Sequence, residues 1–159
     1  MAYVLRELLK IRLMREQWAK DALVKAQNVL QLAIRKVEEK KKKLEDFRAW
    51  RVGEEKRLYA EVMRKRVKRN DIDALKLNLA DLEKKELDHI QAIHDAEEER
   101  EKAKEKVEEA RVAYNFALIG VQKLEEHKVG WMAEWTKEQE ALVEKEMEDF
   151  KALKIDFNP

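Results

Sequence analysis

The 159-residue chain contains no cysteine, only three glycines, and a single proline that is the final residue, Pro159. Without cysteine it can form neither a disulfide nor a thiolate metal site, which suits a reducing compartment. With no internal proline, nothing in the interior forbids helix. Long apolar runs are also missing: stretches such as Phe116-Ala117-Leu118-Ile119 fall far short of the roughly 20 residues needed to cross a bilayer, so no transmembrane segment is expected. The opening Met1-Ala2-Tyr3-Val4-Leu5-Arg6-Glu7 is interrupted by a base and an acid before the apolar region of a signal peptide can form. These absences describe a soluble, cytoplasmic protein.

Chemistry-bearing motifs are equally scarce. No glycine-rich phosphate loop and no nucleophile with a neighbouring base can be found. His89, His94 and His127 are spread along one predicted helix. His94 and Glu98 have the four-residue spacing of a two-ligand metal clip, but such pairs arise by chance on a charge-rich helix, and solvated surface is the simpler reading. Carboxylates abound, as in Glu97-Glu98-Glu99, yet two packed helices offer no pocket in which to desolvate one and shift its pKa. Neither an enzyme nor a cofactor or metal is expected.

What the chain does contain is charge and helical periodicity. Charged residues make up 43% of the sequence, against roughly 25% in an ordinary globular domain, and Ala, Glu, Lys, Leu and Arg dominate, as in coiled coils. From Leu75, alternate steps of four and three residues reach Leu79, Leu82, Glu86, His89, Ile93 and Ala96. They continue through Arg100, Ala103, Val107, Ala110, Tyr114, Ala117, Val121, Leu124 and Lys128 to Trp131, Trp135, Glu138 and Leu142. A repeat of 3.5 residues sustained this long marks the face of a helix that lies along another. The first half carries the same stripe through Ala19, Leu23, Ala26, Leu30, Ala33, Val37, Leu44 and Phe47, with Lys40 as its one polar interruption. Beyond Phe47 the seam positions are Arg51, Glu54, Glu61 and Lys65, while Leu58, Tyr59, Val62 and Met63 sit on or beside them. The face is expected to rotate from Gly53, where a mid-helix glycine costs about 1 kcal/mol relative to alanine.

Charge distribution chooses between one continuous helix and a hairpin. Residues 1 to 70 hold 21 Lys and Arg against 10 Asp and Glu, a net of +11, and residues 71 to 159 hold 14 against 24, a net of −10. Folding back sets a basic helix against an acidic one, whereas a parallel dimer of a straight helix would align like with like. The turn falls in Arg64-Lys65-Arg66-Val67-Lys68-Arg69-Asn70-Asp71-Ile72-Asp73. Cations there suit a helix C-terminus, Asp71 and Asp73 suit an N-terminus, and Asn70 makes a good N-cap answered by Asp73. The expected fold is all-α: a long antiparallel two-helix coiled-coil hairpin spanning residues 1–159. Its first helix is predicted at about 3–68, its turn at about 68–72 and its second helix at about 72–154. A 65-residue helix would be about 97 Å long.

A turn centred near residue 70 makes opposed residue numbers sum to about 140. Phe47 then meets Ile93, Leu30 meets Ala110, Leu9 meets Trp131 and Leu5 meets Trp135, with Arg51 near Glu86 as a seam ion pair. A seam satisfied within one chain implies a monomer. The acidic stretch Glu138 to Asp149, with Leu142, Met147 and Phe150 at helical spacing, is expected to stay helical and fray before Asn158.

Three features could carry binding. The basic cluster Arg64, Lys65, Arg66, Lys68 and Arg69 reads as a nucleic-acid footprint, as a tip for a protein or anionic surface, or as a solvated helix end. Nucleic acid ranks below a protein partner, because no aromatic residue is interleaved to stack on bases. Trp131 and Trp135, four apart, either pack on Leu5 and Leu9 to close the open end of the hairpin or anchor a partner. Trp50, beside the seam near Gly53, is the third.

The layout as a whole, with Tyr3-Val4-Leu5-Arg6-Glu7-Leu8-Leu9-Lys10-Ile11-Arg12 at its start and His127-Lys128-Val129-Gly130-Trp131-Met132-Ala133-Glu134-Trp135 late in the chain, resembles the YscO proteins of type III secretion systems, whose flagellar relative is FliJ. The resemblance extends over nearly the whole chain. It implies a non-enzymatic cytoplasmic stalk at the cytoplasmic face of the secretion apparatus, similar to the γ subunit of rotary ATPases. Its implied partners are the hexameric secretion ATPase, the export gate component and substrate chaperones. By the same resemblance, either the terminal end with Leu5, Leu9, Trp131 and Trp135 or the basic turn would contact the ring. A general coiled-coil structural or tethering protein is the alternative reading of the residues alone, and nucleic-acid binding through the basic turn is the third.

Overall fold

The computed structural model describes residues 3–64 and 66–156, with the side chain of residue 156 outside the description. It is all-helical: α1 spans Arg6–Met63 (58 residues) and α2 spans Arg69–Asp156 (88 residues), packed together as a hairpin. Two units can be distinguished: Met1–Ala22 with Ala110–Pro159, and Leu23–Glu109. The Leu23–Glu109 unit buries Val37, Leu44, Leu58, Leu82, Ala96 and Ala103, and the terminal unit buries Tyr3, Val121 and Leu124. These residues fall on the heptad stripe, apart from Tyr3, which precedes α1. Alanines on one side of such a seam let two backbones approach closely, while leucine and valine fill the space between them.

The stripe on α2 behaves as the periodicity predicts from Leu75 to Leu124, where each seam position is buried or half-buried, including Glu86, His89 and Arg100. On α1 the face stays in register past Gly53, since Arg51 and Glu54 remain half-buried. The shift comes later: after buried Leu58 the next inward residue is Val62, not the exposed Glu61. One step of four replaces a step of three, a local adjustment that a helix absorbs without a break. No close approach requires glycine at position 53, because a Cβ there would meet no atom within 4 Å.

The reversal differs from the expected one. α1 ends at Met63 and α2 begins at Arg69, so the connection is centred near residue 66 and the basic residues Arg64, Arg66 and Lys68 lie beyond α1. Asn70 is not the cap. The Lys68 backbone N–H donates to Asp71 Oδ2 (3.2 Å), and the Asp71 and Ile72 amides donate to the Lys68 carbonyl (3.0 and 3.4 Å). Lys68 therefore occupies the N-cap position. Asp71, three residues on, supplies the side chain that reaches back to the cap amide, one half of a capping box. Arg69 sits in the first turn, where a cation is disfavoured and Asp71 offsets it.

Moving the turn earlier lowers the opposed sums from 140. In the Leu23–Glu109 unit, Lys36 pairs with Glu99 at 3.0 Å and Phe47 stacks on His89 with ring centroids 4.9 Å apart. Phe47 thus lies level with His89, one turn of α2 before the Ile93 that a sum of 140 assigns to it. In the terminal unit the Arg12 Nη1 donates to the Gly120 carbonyl at 2.9 Å, and Tyr3 lies against Trp131.

Candidate interaction surfaces

The basic turn is exposed wherever it is described: Arg64, Arg66, Lys68 and Arg69 all face solvent, and Lys65 lies outside the described residues. None of the four makes a side-chain ion pair among the described residues, so the cluster is displayed and not neutralised. Val67 (52% exposed) and Met63 (83% exposed) add apolar surface beside it.

Further along the Leu23–Glu109 unit, Arg51 and Glu86 form the seam ion pair that the heptad positions implied. Arg51 also reaches Glu55 (2.8 Å), and Arg48 reaches Glu86 (2.6 Å). The hydrogen bond from Arg48, helped by the charge of Arg51, holds the Glu86 carboxyl below its ordinary value, while partial burial pushes the other way. The Arg51 guanidinium is raised, chiefly by its hydrogen bond to Glu55. Glu54 is lowered by the hydrogen bond from Arg57. Next to this network Trp50 is half-exposed, with its ring centroid 5.7 Å from Phe47. It rests on the seam aromatic and leaves its outer face to solvent.

The terminal unit holds a cluster that the sequence reading missed. Tyr3, 6% exposed, directs its hydroxyl to His127 Nδ1 in a hydrogen bond. Its ring lies edge-on to Trp131 at 5.4 Å and tilted against His127 at 5.8 Å, the T-shaped geometry that aromatic pairs favour. A buried tyrosine keeps its hydroxyl satisfied this way. Leu5, Leu9, Trp131 and Trp135 are all half-buried, and Trp135 lies one turn beyond the level of Tyr3. The signal for Tyr3 was an aromatic residue just before the first helical turn, but a sum of 140 pointed it at Lys137.

His94 and Glu98 stand 3.2 Å apart, both more than half exposed, and among the described residues no three potential ligands gather into a metal site. No described helix is long and apolar enough to cross a membrane.

This is a protein of the helical-hairpin class, one that displays its side chains along two packed helices. Residues 5–153 match the family of the type III secretion protein YscO, and the chain belongs to that family. Among solved structures it is similar to type III secretion protein YscO from Vibrio parahaemolyticus, with TM-score 0.85 and 20% identity, covering 92% of each chain. It is also similar to CT670 of Chlamydia trachomatis, described as a putative YscO homolog, with TM-score 0.79 and 20% identity over 98% of this chain and 96% of that one. No curated protein sequence matches it. The two structures share the fold, and the sequence match establishes the family of a structural secretion component.

Proposed function

We propose that the chain is a cytoplasmic stalk of a type III secretion export apparatus, seated in the hexameric secretion ATPase like a γ-subunit shaft and linking it to the export gate and substrate chaperones. Family membership over nearly the whole chain supports this reading. A helical hairpin has no symmetry of its own, whereas a hexameric ring presents six equivalent sites. A single hairpin in the ring therefore touches its subunits unequally and biases which of them adopts which nucleotide state. That is coupling through differential contact, with no group on the hairpin taking part in hydrolysis. The candidate contacts are the basic turn (Arg64, Lys65, Arg66, Lys68, Arg69), the terminal set (Leu5, Leu9, Trp131, Trp135) and Trp50.

The test is steady-state hydrolysis by the partner ATPase titrated with the purified protein. Turnover is expected to rise and saturate, and unchanged turnover at saturating protein would refute the stalk role. Charge reversal at Arg64, Arg66, Lys68 and Arg69 is expected to weaken whichever partner meets the turn while leaving helix content by circular dichroism unchanged.

A further inference from the structure

Acids are spread along nearly all of α2, but from Ala110 to Leu124 there is none. Within that stretch Val112, Phe116, Ile119 and Lys123 follow one another at steps of four, three and four, which places them in a single stripe. Its three apolar members are 59%, 81% and 49% exposed. On α1 the same spacing recurs in Ile11, Arg15 and Trp18, with Ile11 46% and Trp18 63% exposed. A groove of about 290 Å³ joins the two stripes, lined by Arg12 and Arg15 from α1 and by Phe116, Ile119, Gly120 and Lys123 from α2. The stripes form one face of the terminal unit.

Two features of this face define what it can receive. Gly120 carries no side chain and the Arg12 guanidinium reaches across to its carbonyl, so the groove is shallowly floored and leaves room for a side chain from outside. Its charge is all of one sign. No carboxylate lines the groove, Arg12 donates to a neutral carbonyl, and Arg15 and Lys123 have no acidic partner among the described residues. Large apolar groups displayed together beside unneutralised cations mark an interaction surface, in contrast to single apolar residues scattered among mixed charges.

We infer that this face docks an acidic amphipathic helix of a second protein, its apolar side chains covering Phe116, Ile119 and Trp18 and its flanking carboxylates meeting Arg15 and Lys123. A helix suits the site because two packed helices present a furrow along their length into which the ridges of a third can set. No strand is present among the described residues, so an extended peptide would find no sheet edge to pair with. From Val112 to Lys123 the stripe runs about 16 Å, or three helical turns. Acids opposite the cations add attraction on approach and leave no covered charge unpaired. Nucleic acid is the poorer occupant, because Ile11, Val112 and Ile119 are aliphatic and offer no ring on which a base can stack. The inference adds a surface and the chemistry of its partner, and it stands without the stalk reading.

The probe is a labelled synthetic peptide of about 20 residues, long enough to be helical, with leucine at steps of three and four and glutamate beside it. Fluorescence anisotropy of the peptide titrated with the full chain is expected to show saturable binding that weakens with salt. Two reference peptides accompany it, one with the same composition scrambled and one with lysine for glutamate. Three variants locate the site: Trp18→Ala with Phe116→Ala, Arg15→Glu with Lys123→Glu, and Lys41→Glu with Lys42→Glu. The last makes the same change of net charge in residues 38–46, where every exposed residue is charged. All six positions are exposed, and circular dichroism checks that each variant stays helical. The first two pairs should each weaken the acidic peptide about tenfold or more, and the charge pair should gain the lysine peptide, while the third should change binding less than about twofold. Sedimentation of the chain alone and titration with a single-stranded oligonucleotide read the other occupants. No saturable binding, equal binding of the scrambled peptide, equal loss in all three variants, an oligonucleotide held more tightly at this face, or a dimer of the chain abolished by the first two pairs overturns the inference.

Discussion

Leu82 and Leu77 lie on the same helix five residues apart, yet Leu82 is 4% exposed and Leu77 72% exposed. Substituting alanine for each removes the same atoms and changes intrinsic helix propensity equally, so the difference isolates what the seam contributes. Removing three buried carbons at about 0.8 kcal/mol each gives about 2.4 kcal/mol of lost transfer energy. Two helices can close much of the vacated space, so the cavity contribution is small, and Leu82→Ala is expected to cost about 2–3 kcal/mol. For a protein of this size 1 kcal/mol moves the melting temperature by about 2–4 °C, which predicts a fall of about 5–10 °C. Leu77→Ala should stay within about 0.5 kcal/mol of the parent. Urea and thermal melts followed at 222 nm measure both. Equal shifts for the two variants, or a loss under about 1 kcal/mol at Leu82, would refute the claim that this seam supplies the stability of the Leu23–Glu109 unit.

Acid titration reads the ion network. The Glu86 and Glu54 carboxyls are held below their ordinary values in the fold, so their stabilisation is complete above the unfolded-state value of about 4.3 and is lost as pH falls through the lower folded values. The melting temperature should hold from neutral pH to about 5 and drop below it, with Glu86→Gln lowering the plateau and flattening the acid limb. Gly53→Ala places a methyl where no atom lies within 4 Å, and the relief of glycine's helix penalty should raise stability by about 0.5–1 kcal/mol in the same melts. Asp71→Ala removes the carboxylate that meets the Lys68 amide and should cost about 0.5–1 kcal/mol, whereas Asn70→Ala should be close to neutral. The reverse order would restore Asn70 as the cap.

The seam was legible because period and burial have one cause: only positions facing the second helix lose solvent. That is why even Glu86, His89 and Arg100, chemically odd for a core, are half-buried where the heptad count puts them. The same logic explains where the count stops working. Lys128, Glu138 and Leu142 continue the stripe in sequence but are exposed, since the period records a face and says nothing of whether a partner helix is present to cover it. The turn was harder. Asn70 with Asp73 and Lys68 with Asp71 offer the same three-residue spacing, and only the path of the connection selects the second. That choice displaced the register by several residues, which kept the Tyr3–His127 bond, between residues 124 apart in sequence, out of reach of pairing by number.

A hairpin has a single seam, so each helix turns only one stripe inward and gives the rest of its circumference to solvent. Single apolar residues scattered over that surface, such as Val24 and Val52, are ordinary and ask for no partner. Residues that repeat at three and four are different, because keeping such a spacing for several turns makes sense only if one face is to be covered. Val143, Met147, Phe150 and Leu153 on the α2 extension repeat in this way, with Glu146 interrupting their face. The basic turn has the opposite character, with charge concentrated where neither helix can neutralise it. Contacts at the turn should therefore depend steeply on salt, and contacts through the α2 extension should depend on its apolar side chains, with salt as a secondary influence. Measuring salt dependence for each partner in turn would thus assign it to one of these surfaces before any variant is made.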